Sequence, residues 1–366
     1  MIEKNIRDKN SNKLIHLEVM RIIAIFFVIF NHTGKSGFFL FSQYGTKTPQ
    51  FWIYLFVSIF CKFSVPLFLA ISGAIMLNRE DEPISVIFRK RIVKILICLV
   101  IFSVIYYVKF NSGTEAYGVK NFLWLFYSNG IGYHLYYLYL YIAYLISLPF
   151  LRAMVKNLKN KHFWLMIGSS LFFFSIVPTV EFILNGWFQT HMAENIKLGW
   201  LASTTVLYPC LGYFLEHKID VKKQRKMIGI FAVANMLCIS LCCYLTFTQG
   251  QITGEITEAT SQGFHGTFVL INCIFVFLTV KYICANVRIP HLIERIIYSI
   301  GSCTFGVYLL HPLIKDLAVM KKILRFMFSH GINRMISVFI YCFLVLLVCY
   351  AITAVLKKIP IINKLI

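Results

Sequence analysis

Apolar stretches about 20 residues long recur along this chain, and that is the length an α-helix needs to cross the hydrocarbon core of a bilayer. Ten are legible, at roughly 14–32, 51–77, 92–110, 132–151, 163–184, 198–215, 228–248, 264–285, 296–314 and 335–356. Lipid offers backbone amides nothing to bond, so such segments must satisfy themselves as helices. Composition agrees: 14% of the 366 residues are charged, against roughly 25% in a soluble domain. The apolar excess is spread over the whole length, and no soluble domain can be carved out. The expected fold is therefore all-α, a polytopic membrane protein with about ten transmembrane helices forming one domain over residues 1–366. The first stretch follows a basic N-terminus, but Glu18 and Arg21 interrupt its apolar run and no small-residue cleavage site follows. It reads as a retained helix, not a secretory signal.

The formal net charge of +21 is mostly topology. Lys4, Arg7, Lys9 and Lys13 precede the first span, and Arg79, Arg89, Lys90, Arg91 and Lys94 lie between the second and third. Arg152, Lys156, Lys159 and Lys161 follow the fourth; Lys218, Lys222, Lys223, Arg225 and Lys226 follow the sixth; Lys357, Lys358 and Lys364 follow the last. On a ten-span path all of these fall on one side, which the positive-inside rule makes cytoplasmic, with both termini. The connection carrying Glu255 and Glu258 has no Lys or Arg and suits the opposite side. One segment disagrees: Lys321, Lys322, Arg325 and Arg334 stand where an outer loop should be, so either that loop is a basic interfacial helix or the path differs near the end. Without a soluble domain the charge excess does not imply nucleic acid; the bilayer itself is the expected partner of these cations. The eleven cysteines fall within apolar segments and read as packing residues, with no metal assigned.

Charges inside a membrane are costly, so those in the first span carry information. Glu18 and Arg21 are three residues apart and can neutralise one another on one helix face. His32 lies eleven residues beyond Arg21, nearly three turns, which puts it on the same face about 16 Å along the axis. Two more histidines, His134 opening the fourth span and His311 closing the ninth, fall at the same expected depth. Three separate interfacial histidines would explain this, and so would one shared polar site; their spacing matches no recognised zinc-ligand pattern. Ser64–Gly73 in the second span combines a proline with a Ser72-Gly73 pair that allows close backbone approach. The run Phe88–Lys94 is either an orientation signal or a phosphate-binding edge with Arg91 and Lys94 on one face.

These residues resemble the integral-membrane acyltransferases called acyltransferase family three. Glu18, Arg21 and His32 fit the family's first-helix pattern of an acidic residue, a cation, ten residues and a histidine. Pro66-Leu67-Phe68 with Ser72-Gly73 is similar to its second-helix motif. Arg91 and Lys94 resemble its basic pair, with Lys in place of the usual second Arg. Tyr133–Leu138 resembles its His-Leu-Trp-Phe-Leu segment, with Tyr136 and Tyr137 replacing Trp and Phe. Phe305–Pro312 resembles its penultimate-helix motif. The matches extend from about residue 14 to 313.

The resemblance implies a ten-helix fold and transfer of an acyl group, usually acetyl, from cytoplasmic acyl-CoA to a carbohydrate hydroxyl outside. The implied setting is the bacterial cytoplasmic membrane, with an exopolysaccharide, cell-wall or lipid-linked glycan as acceptor. Acetyl-CoA would be a passing donor, with no cofactor permanently bound. Arg89, Lys90, Arg91 and Lys94 would meet the donor's nucleotide end. His32 would act as base or take the acyl group itself, supported by Arg21 and Glu18, while His134, Tyr133, His311 and Ser72 would contact substrate. The competing expectation is an exporter or flippase of glycan intermediates, using the same polar path without chemistry.

Overall fold

The computed structural model describes residues 15–188, 203–220, 225–254 and 268–366. The basic residues before position 14, Lys222 and Lys223, Glu255 and Glu258, and the starts of the spans expected at 198 and 264 lie outside the described residues.

The described residues form helices and connecting loops without strands. In chain order these are α1 (Ile15–Asn31), α2 (Pro49–Phe60), α3 (Ser64–Met76), α4 (Ile84–Asn111), α5 (Val119–Tyr127), α6 (Tyr136–Asn157) and α7 (Asn160–Leu184). They continue with α8 (Thr204–His217), α9 (Arg225–Thr253), α10 (Val269–Asn286), α11 (His291–Lys315), α12 (Ala318–Ser329), α13 (Arg334–Leu356) and α14 (Pro360–Leu365).

Among the described residues, eight helical units are long and apolar enough to cross a membrane, with α2 and α3 together forming one of them. α1 and α8 fall at the expected first and sixth spans but are shorter, 17 and 14 residues. The chain is an all-α polytopic membrane protein. Its lipid face shows on α4, where Leu96, Ile97, Val100, Ile101, Val104, Ile105 and Val108 form an exposed apolar stripe at helical spacing.

Local chemistry sets several boundaries. Thr48 caps α2 by accepting from the Phe51 amide, and Pro49 follows in the first turn, where its missing N–H costs nothing. The Asn333 side chain caps α13 through the Met335 and Ile336 amides at 3.0 and 3.3 Å. The second span is broken by a 3-10 turn at Cys61–Phe63, just before Pro66. Asn31 and Asn272 reach this break: Asn31 donates to Ser64 Oγ at 3.0 Å, and Asn272 to the Phe60 carbonyl at 2.6 Å.

α1 sits at the centre, packed on α3, α10, α11 and α13. The closest crossing is α3 on α8. A Cβ on Gly73 would overlap the Pro209 backbone, and one on Gly212 would overlap Ala70. The Ser72-Gly73 pair thus does what its composition promised, letting two backbones approach without intervening side chains. Away from the cavities, Glu216 of α8 binds His16 of α1 at 2.9 Å and Lys281 of α10 at 3.4 Å, tying three helices together.

The basic segment that broke the charge asymmetry is resolved as α12, an amphipathic helix between two spans. Met320, Leu324 and Met327 are buried, and Lys321, Lys322 and Arg325 face outward. That is the pattern of a helix lying along an interface rather than crossing it.

Candidate active site

Two cavities lie along α1. The first, about 480 Å³, is basic: Arg21, Lys90, Arg91 and Lys94 line it with Ser72, Tyr137, Tyr141, Ser302, Thr304 and Tyr308. The second, about 550 Å³, holds His32 with Asn31, Lys62, Tyr133, Tyr136, Thr204 and Tyr208. Val28 and Val65 belong to both walls, so the cavities abut. Among the described residues no carboxylate side chain lines either one.

The cation cluster of the basic cavity stands at a backbone irregularity. Phe88–Ile92 forms a π-turn inside α4, and a π-turn inserts an extra residue and rotates the succeeding side chains about the helix axis. Lys90, Arg91 and Lys94 share the cavity wall, while Arg89 does not line it. Of the four cations expected at one edge, three line this cavity, joined by Arg21 from α1. Arg21 is fixed by an ion pair with Glu18, whose other oxygen is buried beside Gly301 of α11. A side chain at position 301 would collide with that carboxylate.

Arg91 is also held from behind. One terminal nitrogen meets both oxygens of Glu82, at 2.7 and 2.9 Å. This hydrogen bond keeps the Glu82 carboxyl below the ordinary carboxylate range. Glu82 in turn approaches Arg152 of α6 at 3.4 Å.

At the other cavity the three histidines do meet. His32 Nδ1 lies 2.8 Å from His311 Nε2. The two rings are within 8° of parallel with centroids 5.0 Å apart, the geometry of an in-plane, edge-to-edge bond rather than of stacking. His311 Nδ1 lies 2.7 Å from the Tyr308 carbonyl. A carbonyl only accepts, so for the neutral pair the network assigns the proton to His311 Nδ1 and leaves its Nε2 as the acceptor. His32 Nδ1 must then donate, and its free lone pair is on Nε2. This orienting logic gives one imidazole a defined basic atom.

Tyr133 packs edge-on to His32, centroids 4.8 Å apart, and Lys315 lies over the Tyr133 ring at 5.8 Å. His134 is buried between Tyr106 and His311, and neither of its ring nitrogens has a hydrogen-bond partner among the described residues. The Tyr308 hydroxyl donates to its carbonyl.

Of the residues expected to contact substrate, then, Tyr133 lines the histidine cavity and Ser72 the basic one. His311 and His134 line neither: both are buried, His311 against His32 and His134 against His311. Tyr137 and Tyr308 stood inside the quoted motifs without an assigned role, whereas the sequence reading gave no site role to Tyr141, Glu82 or the buried Arg152. For Tyr141 the available signal was a run of tyrosines at helical spacing on α6, which reads equally as lipid-facing packing.

Fold and site together define a polytopic helical protein with a cationic cavity and a histidine cavity meeting inside the membrane. Residues 14–354 match the acyltransferase domain of acyltransferase family three, nearly the whole chain, and the chain belongs to that family. No curated protein and no solved structure matches it. An acyltransferase function in general follows from this membership.

Proposed function

We infer that the chain transfers an acyl group, acetyl in the first instance, from acyl-CoA in the basic cavity to a carbohydrate hydroxyl in the histidine cavity. The observation that supports this reading most is that a cavity with four cations and a cavity holding His32 share the Val28–Val65 wall. Acyl-CoA carries several phosphates, and Lys90, Arg91 and Lys94 supply charge-assisted donors to meet them. The pantetheine arm then runs past Arg21, Ser72, Tyr137 and Tyr141 towards Val28. Arg21 and His32 are separated by about 16 Å along α1, a distance an extended arm of that kind can span.

The chemistry needs one base. His32 Nε2 takes the proton from the acceptor hydroxyl as its oxygen attacks the thioester carbon. The tetrahedral intermediate collapses, the C–S bond breaks, and the proton passes from His32 to the departing thiolate of CoA. His311 holds the His32 ring and stabilises the imidazolium through their shared hydrogen bond. Tyr133, Tyr136 and Tyr208 offer aromatic faces and hydroxyls to a sugar. With the basic cavity on the cytoplasmic side, as the positive-inside rule places it, the acceptor is an extracytoplasmic or lipid-linked glycan.

Purified protein in proteoliposomes, supplied with acetyl-CoA on the basic side, should release free CoA thiol in an acceptor-dependent reaction that His32→Ala abolishes. Thiol release that is absent from wild type, with glycan still crossing the membrane, would favour the export reading.

A further inference from the structure

Resting on the reading of the basic cavity as the donor site, we propose that Glu82 and Arg152 complete it. Glu82 occupies Arg91 as an internal anion, and Arg152 takes over the Glu82 carboxylate when a donor phosphate binds Arg91.

The asymmetry of the contacts carries this. Arg152 is among the largest fully buried side chains, 1% exposed. Its Nε donates to the Met76 carbonyl at 3.0 Å, and one terminal nitrogen reaches Glu82 at only 3.4 Å. The other, Nη1, is buried without a hydrogen-bond partner among the described residues. A buried cationic donor left open is costly, so the site is incomplete as it stands. Arg91 too has one buried donor without a partner among the described residues, its Nε, but its hold on Glu82 is closer. It lies on the cavity wall, and Glu82 is held tightly against it by two short contacts.

One carboxylate therefore serves two guanidinium groups unequally, close on the partly buried cavity-lining arginine and loose on the fully buried one. A phosphate entering the cavity competes with Glu82 for Arg91. Movement of Glu82 onto Arg152 satisfies Nη1 and allows the two-point carboxylate–guanidinium geometry that its present position denies it. Ion pairs are conserved in the exchange: Arg91 keeps an anion and Arg152 gains a closer one. Glu82 sits in the short loop between α3 and α4, partly exposed, with the solvent-facing Asp81–Lys156 pair beside it. The loop thus has room to move, and Arg152 is a positioning residue that acts through Glu82.

The alternative is a rigid scaffold in which Glu82 simply aims Arg91 at the phosphate. The two readings predict opposite signs. Coenzyme A itself is the probe, titrated calorimetrically into the full-length protein in lipid nanodiscs. Glu82→Gln should tighten binding about three- to tenfold, because a unit negative charge is removed from beside the phosphate. The donor KM should fall with it. Arg152→Gln should weaken binding in the wild-type background and have little effect in Glu82→Gln, since its role is to hold that carboxylate.

Weaker CoA binding by Glu82→Gln overturns the proposal in favour of the scaffold. So does an Arg152→Gln effect of equal size in both backgrounds. Should Arg152→Gln fail to fold, Glu82→Gln alone still decides the sign. If wild type does not bind CoA, the donor-site reading fails and this inference with it.

Discussion

Replacing His311 tests the histidine pair more sharply than replacing His32. His311 is fully buried and lines neither of the two cavities, so a loss of activity on its removal points to its neighbour. Its Nε2 accepts from His32 Nδ1 at 2.8 Å. In the ground state His32 is neutral, and such a bond contributes about 0.5–1.5 kcal/mol net. As His32 takes the acceptor's proton it becomes cationic, and the same bond becomes charge-assisted, about 1.5–3 kcal/mol. Only the difference, roughly 1–2 kcal/mol, lowers the barrier, which is about 5- to 30-fold in kcat.

Steady-state thiol release should therefore show His311→Gln at a tenth or so of wild-type kcat, with donor KM unchanged. His32→Ala should lose about 10²–10⁴-fold, the usual contribution of a general base. The double variant should be no worse than His32→Ala, because the two act as one unit. Near-normal turnover in His32→Ala with loss in His311→Gln would put the base on α11 and refute the tautomer argument. Additive losses in the double variant would refute the coupling.

Arg91→Ala with Lys94→Ala should raise the donor dissociation constant at least tenfold, since each charge-assisted phosphate contact contributes about 1.5–3 kcal/mol; calorimetry with CoA checks this. Gly73→Leu should destabilise the protein by more than the about 1–3 kcal/mol of ordinary overpacking, because its side chain meets the Pro209 backbone and not another side chain, and thermal unfolding in detergent followed by size exclusion reads the loss. The Glu82 carboxyl is held low in the folded protein, so its stabilising contribution is complete above the unfolded carboxylate value of about 4.3 and disappears as pH falls through its lower folded value; Glu82→Gln should flatten that part of an acid-denaturation curve. A reporter fused after Ile366 should be active only on the cytoplasmic side.

Length and apolarity alone determined that this chain is helical and lives in a bilayer, because lipid allows a lone segment no other way to satisfy its backbone. The placement of Arg21 and His32 on one face of α1 was likewise legible, since helical periodicity is a local property. Ser72-Gly73 announced a close crossing, although the sequence could not say that Pro209 would be its partner.

What the sequence left open were matters of register and of contact between distant segments. Whether three histidines shared one site depended on how α11 packs against α1, and the answer put His311 behind His32 instead of beside a substrate. That Arg21 of α1 joins the basic run of α4 in one cavity depended on how separate helices pack, which no residue pattern in Phe88–Ile92 announces. Arg152 read as one more positive-inside charge, and only the fold brought it within reach of Glu82, 70 residues away in the chain. Helix formation is decided within a few turns, but a site in a membrane bundle is decided by which faces of separate helices are pressed together.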